Sequence, residues 1–143
     1  MATVLVVDDD AVIRQAVRAA LEDARHAVLE ADSGERALEL LRVTDEPLVV
    51  LLDLRMPGVN GFDLLREVER DPDLGERHTF IVLSGDDQSL PVVRALRSAT
   101  ILAGIPKPFD IETLLATVAQ AETTHPQPGA NGEDGRLPGG SSR

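Results

Sequence analysis

Three short aliphatic runs organise the first two thirds of the chain, and each stops at a polar residue. Val4–Val7 ends at Asp8, Leu48–Leu52 at Asp53 and Phe80–Leu83 at Ser84. Apolar runs of this length, without alternation, are the signature of strands covered on both faces of a parallel sheet. Ala27–Ala31 and a weaker Ile101–Ile105 segment are candidates for two further strands.

Helical periodicity fills the intervals. Val12, Ile13, Ala16, Val17, Ala20 and Leu21 recur on one face, with Asp10 placed to cap that helix. Ser33 caps a second, which buries Ala37, Leu38, Leu40 and Leu41. A third follows Gly61, buries Phe62, Leu65 and Val68, and stops at Asp71-Pro72. A fourth begins near Leu90, with Pro91 in its first turn and Val93 and Leu96 inward. The fifth follows Asp110 and buries Ile111, Leu114, Leu115 and Val118. Five alternations of strand and helix predict an α/β fold with helices on both faces of a parallel sheet. From about Glu122 the pattern ends. Residues 122–143 contain five Gly and three Pro with almost no aliphatics. The expected organisation is therefore one domain over residues 1–121 and a disordered Pro/Gly-rich tail over residues 122–143.

Composition narrows the chemistry. The 143 residues contain no Cys, which removes thiolate catalysis, disulfides and Cys-ligated metals. Only Phe62, Phe80 and Phe109 are aromatic, so the core must be aliphatic. A net charge of −11 disfavours direct contact with nucleic acid and favours divalent cations or basic partner surfaces. The N-terminal segment does not read as a signal peptide, and no apolar run approaches membrane-spanning length. The expectation is a cytoplasmic protein with no membrane insertion.

One residue breaks the compositional rule. Thirteen of the fourteen Lys and Arg residues are Arg; the single lysine is Lys107, between Pro106 and Pro108. An ammonium acts as a compact point charge against a small anion, which a planar guanidinium does less well. In a doubly wound sheet, ligands bind at the carboxyl ends of the strands. Those ends carry Asp8 and Asp9, Asp53, Ser84 and, just past the fifth strand, Lys107. Crowded carboxylates repel one another, and a bound Mg²⁺ relieves that conflict. A carboxylate can also accept a phosphoryl group, while metal, hydroxyl and ammonium neutralise the phosphoryl oxygens.

Val6-Val7-Asp8-Asp9-Asp10, Val49-Val50-Leu51-Leu52-Asp53-Leu54-Arg55-Met56-Pro57-Gly58, Ile81-Val82-Leu83-Ser84-Gly85 and Lys107-Pro108-Phe109 together resemble a response-regulator receiver domain over about residues 3–120. The resemblance implies a flavodoxin-like five-stranded sheet of order 2-1-3-4-5 with five helices. It implies that Asp53 is the phosphoacceptor, charged by a phosphohistidine of a histidine kinase or histidine phosphotransfer domain. It assigns Asp8, Asp9, Asp53 and the backbone carbonyl of Arg55 to Mg²⁺, Ser84 and Lys107 to the phosphoryl group, and a cis bond to Lys107–Pro108. It also implies a stand-alone response regulator, not an enzyme in the ordinary sense, that acts by binding an unknown downstream protein or by passing the phosphoryl group onward.

The chain departs from that family at Gly104, where a Tyr or Phe usually reports phosphorylation by swinging inward. Output through backbone movement after Ser84, or through another face, is the expectation here. Ala99-Thr100-Ile101-Leu102 replaces a usual Gly-Ala turn. Arg55 and Asp86 stand where the family's residues gate the attacking water, and would be either a pair across the mouth or two solvated charges. His26, His78 and His125 are expected to be solvated. Two other readings stay open. One is a receiver-fold scaffold that is not phosphorylated. The other is a Mg²⁺-dependent phosphatase of the haloacid-dehalogenase type, since Asp8-Asp9-Asp10-Ala11-Val12 fits its Asp-x-Asp-x-(Thr/Val) start with Asp8 as nucleophile.

Overall fold

The computed structural model describes residues 2–54, 61–84 and 100–124. In chain order the elements are β1 (Thr3–Val7), α1 (Ala11–Asp23), β2 (Ala27–Ala31), α2 (Gly34–Val43), β3 (Val49–Asp53), α3 (Gly61–Arg70), α4 (Pro72–Arg77), β4 (Thr79–Ser84), β5 (Thr100–Pro106) and α5 (Ile111–Thr124). The strands form one parallel sheet of order β2-β1-β3-β4-β5. All five expected strands are present, within two residues of their expected ends.

The unbroken apolar runs are explained by the two cores. Leu5, Val7, Val50, Leu52, Phe80 and Val82 face α2, α3 and α4, packing on Leu38, Leu41, Leu64, Leu65, Val68 and Leu74. Their neighbours Val4, Val6, Val49, Leu51, Ile81, Leu83 and Ile105 face α1 and α5, packing on Val17, Leu21, Leu114 and Val118. Alternate residues of one strand thus fill opposite cores, so no position is left for a polar side chain.

The helices start as the sequence suggests. Asp10 accepts from the Val12 and Ile13 amides at 2.9 and 3.3 Å, and Ser33 accepts from Arg36 N–H at 3.2 Å. Asp110 accepts from Thr113 N–H at 2.7 Å, which holds its carboxyl below the usual range. Helix α1 ends in a Schellman motif, with His26 N–H bonded to Leu21 O at 3.0 Å and Arg25 N–H to Glu22 O at 2.9 Å. Arg25 occupies the left-handed position of that motif, at φ 73°.

Several expectations need correction. The apolar stripe of α1 is narrower than its sequence pattern, because Val12 is 75% exposed and Ala16 is also at the surface. Ile111 of α5 is likewise exposed. Helix α3 stops at Arg70, just before Asp71-Pro72 as expected, but a short helix that was not expected follows it. This is α4, with Pro72 in its first turn, where a missing N–H costs nothing. Helix α5 continues through Thr124, past the expected end of the ordered pattern. The helix expected near Leu90, with Pro91, Val93 and Leu96, lies outside the described residues, as do His125 and residues 125–143 of the expected tail.

The histidines differ most from expectation. His78, just before β4, is fully buried, and its Nδ1 accepts from the Leu48 amide, just before β3, at 3.0 Å. His26, just before β2, is half-buried, and its Nδ1 accepts from the Ala2 amide, just before β1, at 3.1 Å. Each ring extends the ladder of one strand pair past its N-terminal edge. An imidazole Nδ1 accepts only when unprotonated, so both are neutral rings protonated on Nε2. Burial, then the nearby chain terminus, pushes the His26 pKa down.

Candidate functional site

The C-terminal ends of β1 and β3 are neighbours in the sheet, with Val7 level with Leu52. The next residue in each strand is an aspartate, and both are buried: Asp8 is 1% exposed and Asp53 5%. Asp9 follows on the solvent side. The three carboxylates can present one oxygen each within 4.8 Å of one another. Oxygens around a Mg²⁺ at about 2.1 Å lie about 3 Å apart along an edge and about 4.2 Å across. The all-oxygen donor set suits a small hard cation, around which the carboxylates would close to those separations.

Lys107 reaches this cluster from the far side of the sheet. Its Nζ lies 3.2 Å from Asp53 Oδ2 and 3.5 Å from Asp8 Oδ2, with 23% of the side chain exposed. The ammonium enters through the Lys107–Pro108 turn after β5, whose peptide bond is cis. A one-residue register shift between β4 and β5 at Phe80/Ile81 places Pro106 level with Ser84, bringing Lys107 to the site.

Asp8 is fixed from four sides. Its amide donates to Ala31 O at 3.1 Å, and its Oδ1 accepts from Asp10 N–H at 2.9 Å. Its Oδ2 faces Lys107, and its carbonyl accepts from Arg14 Nη1 at 2.7 Å. Burial pushes the Asp8 carboxyl up, and the charge of Asp53 adds to that; the Asp10 amide and the Lys107 ammonium partly offset it. Both Asp8 oxygens are engaged, a poor arrangement for a nucleophile.

The site residues anticipated from sequence divide as follows. Asp8, Asp9, Asp53 and Lys107 are brought together. Ser84 ends β4 beside the cluster, next to Leu83, which is level with Asp53. Arg55 and Asp86 lie outside the described residues. Sequence reasoning overlooked Arg14 and Gly61. Helix α3 begins so close to β3 that a Cβ on Gly61 would lie 2.7 Å from the Asp53 carbonyl oxygen. Arg14 had a signal, six residues beyond Asp8 and on the edge of the α1 stripe, but its target is a carbonyl that no side-chain pattern reveals.

The sequence pattern of the response regulator receiver domain matches residues 4–119. The chain belongs to the response-regulator receiver family. Protein PilH of Pseudomonas aeruginosa PAO1 is 36% identical over 118 residues, covering 82% of this chain and 95% of PilH. The C4-dicarboxylate transport transcriptional regulatory protein DctD of the same organism is 37% identical over 119 residues, but the match covers only 24% of it. The receiver thus occurs as nearly all of one relative and as one part of another. Among solved structures, the Vibrio cholerae chemotaxis protein CheY4 superposes with a TM-score of 0.73 at 31% identity, covering 85% of this chain and 98% of that one. A CheY-like receiver from Methanospirillum hungatei JF-1 gives 0.67 at 31% identity, covering 86% and 93%. Membership makes the protein a two-component signalling domain rather than a metabolic enzyme, and removes the phosphatase reading. No described helix is long and apolar enough to cross a membrane.

Proposed function

We propose that this receiver takes a phosphoryl group onto Asp53 from a phosphohistidine on a histidine kinase or histidine phosphotransfer domain. The observation that carries this is Lys107 Nζ, 3.2 Å from a buried Asp53 whose neighbours Asp8 and Asp9 complete an acidic cluster. A phosphoryl group moves from imidazole nitrogen to an Asp53 carboxylate oxygen. The P–N bond breaks, a P–O bond forms, and the histidine leaves neutral after taking up a proton. Asp8, Asp9, Asp53 and the Arg55 carbonyl would hold Mg²⁺, which supplies charge neutralisation for the phosphoryl oxygens. Lys107 supplies a second positive charge, and Ser84 a hydroxyl, to the same oxygens. Water later returns Asp53 to its free state.

The surface beside the site suits a helical donor. An open apolar recess of about 410 Å³, lined by Ile13, Lys107, Pro108 and Phe109, shares Lys107 with the carboxylate cluster. Val12 of α1 and Ile111 of α5 are also exposed apolar side chains. A partner helix carrying a phosphohistidine would bury these side chains while presenting the phosphoryl group to Asp53. We read the protein as a stand-alone, cytoplasmic regulator whose output is contact with a downstream protein or onward transfer, without direct nucleic-acid contact. Gly104, in β5 level with Val82, has no side chain to rotate, so output would use backbone movement after Ser84 or another face. Equal affinity for a downstream partner with and without phosphate refutes that output route.

Incubation with acetyl phosphate, with and without Mg²⁺, tests the central claim on a phosphate-affinity gel. The expected result is a Mg²⁺-dependent shifted band, absent in Asp53→Asn. No band with acetyl phosphate or with a phosphorylated histidine phosphotransfer domain favours the scaffold reading.

A further inference from the structure

We infer that Arg14 is a positioning residue for the metal-binding turn, with Glu30 as the group that aims it. The inference rests on the Mg²⁺ reading above and names a residue outside the acidic cluster. Strand β1 ends at Val7, so the Asp8 carbonyl lies just beyond the end of the strand. The Arg14 guanidinium donates to it at 2.7 Å from Nη1, and at the same time donates from Nε to Glu30 Oε1 at 3.1 Å. The Arg14 side chain is 17% exposed. Glu30 lies on β2, the strand beside β1, and is held in turn by Arg18 at 2.6 Å. Hydrogen bonds to Arg18 lower the Glu30 pKa most, with Arg14 adding to them.

The consequence falls on the turn Asp8-Asp9-Asp10. Its first amide is tied to β2 through Ala31, its first carbonyl to α1 through Arg14, and its third amide to the Asp8 carboxylate. Asp9 is the middle residue of a turn pinned at both ends, which sets the direction of its exposed carboxylate. Groups that orient metal ligands from behind typically contribute about 10–100-fold in metal affinity. A planar fork suits this task because one guanidinium spans a carbonyl and a carboxylate in fixed geometry.

The sign of the effect separates positioning from simple electrostatics. Arg14 is a cation close to a proposed cation site, so charge alone predicts that removing it tightens Mg²⁺ binding. Positioning predicts the reverse. The test is a MgCl₂ titration followed by backbone amide shifts in NMR, with each variant first shown to be folded by circular dichroism. The expected result is about tenfold weaker binding in Arg14→Ala, with Arg14→Lys between it and wild type. Arg36→Ala, which removes a charge near Glu30 without contacting Asp8, keeps wild-type affinity or binds slightly tighter. Wild-type or tighter binding in Arg14→Ala overturns the inference. If Arg14→Ala does not fold, Arg14→Lys decides: its charge is unchanged, so undiminished affinity overturns the inference. Wild-type protein that does not bind Mg²⁺ refutes the metal reading itself, and the inference with it.

Discussion

Replacing Gly61 by alanine probes how closely α3 is held against Asp53, the proposed phosphoacceptor. A Cβ at this position lies 2.6 Å from Leu54 Cα, 2.7 Å from Asp53 O and 3.0 Å from Leu54 Cδ2. Comfortable contacts between such atoms are about 3.5–4.0 Å, so a gap of roughly 1 Å has to open. The Leu54 side chain can turn aside, but the two nearest atoms are main chain and can yield only if β3 or α3 moves. Overpacking of this kind costs about 1–3 kcal/mol. Alanine's better helix propensity offsets at most about 1 kcal/mol, and less at a first helical residue. The net expectation is a loss of about 1–2 kcal/mol, or a Tm lower by about 3–8 °C for a domain of this size. Because one clashing atom is the Asp53 carbonyl oxygen, the displacement also reaches the reacting group. Misplacement by 1 Å can cost about 100-fold in rate, so Mg²⁺-dependent phosphorylation by acetyl phosphate is expected to slow by about tenfold. Thermal unfolding followed at 222 nm and the initial phosphorylation rate are the two measurements. A Gly61→Ala protein as stable as wild type refutes the steric reasoning. A destabilised protein with an unchanged rate shows that α3 absorbs the strain and Asp53 does not.

Four further outcomes are expected. Arg25→Gly removes a side chain from the left-handed position of the α1 cap and should raise stability by about 1 kcal/mol, measured by urea unfolding. His78→Ala opens a cavity and orphans the Leu48 amide, and should cost about 3 kcal/mol in the same assay, far more than any exposed histidine would. Acid should weaken the fold in two stages. The His26 pKa is lowered on folding, so its contribution is intact above about pH 6.5 and is lost as pH falls below that; Glu30, also lowered, contributes above about pH 4.5 and loses its contribution in stronger acid. Glu30→Gln should therefore flatten the lower stage of a stability–pH curve and leave the upper one. Finally, MgCl₂ at ten times its Kd should stabilise the wild type by about 1.4 kcal/mol and Asp9→Ala much less, as read by thermal shift.

The apolar runs of β1, β3 and β4 were legible because each contributes to two cores and so carries no polar interruption until the sheet ends. The same property exposed the site: Asp8 and Asp53 stand out because they are the first polar residues after Val7 and Leu52. Lys107 was legible for a different reason, as the only lysine in the chain. What escaped the sequence was mostly contact with main chain. Arg14 binds a carbonyl, His78 and His26 accept from amides, and Gly61 matters through an approach to the Asp53 and Leu54 backbone. Backbone groups are the same at every position, so sequence gives no pattern from which such partners can be read. Val12 and Ile111 were misassigned to the core because periodicity gives the direction of a side chain but not the width of the face that is covered. Helix α4 did carry a signal, Asp71 before Pro72, which reads equally well as the stop of one helix and the start of the next.

Lysine chemistry offers a handle on this protein that most domains lack. The one ε-amine of these 143 residues is lodged between the Asp53 and Asp8 carboxylates. Amine-directed acylating or reductive-methylating reagents therefore have a single side-chain target, and it lies inside the reactive site. Ion pairs to two carboxylates tie up the Lys107 nitrogen and slow its modification, so anything that draws them away changes the reactivity of one nitrogen. The mass shift of one peptide would then follow site occupancy without a fluorophore, an engineered cysteine or an isotope label.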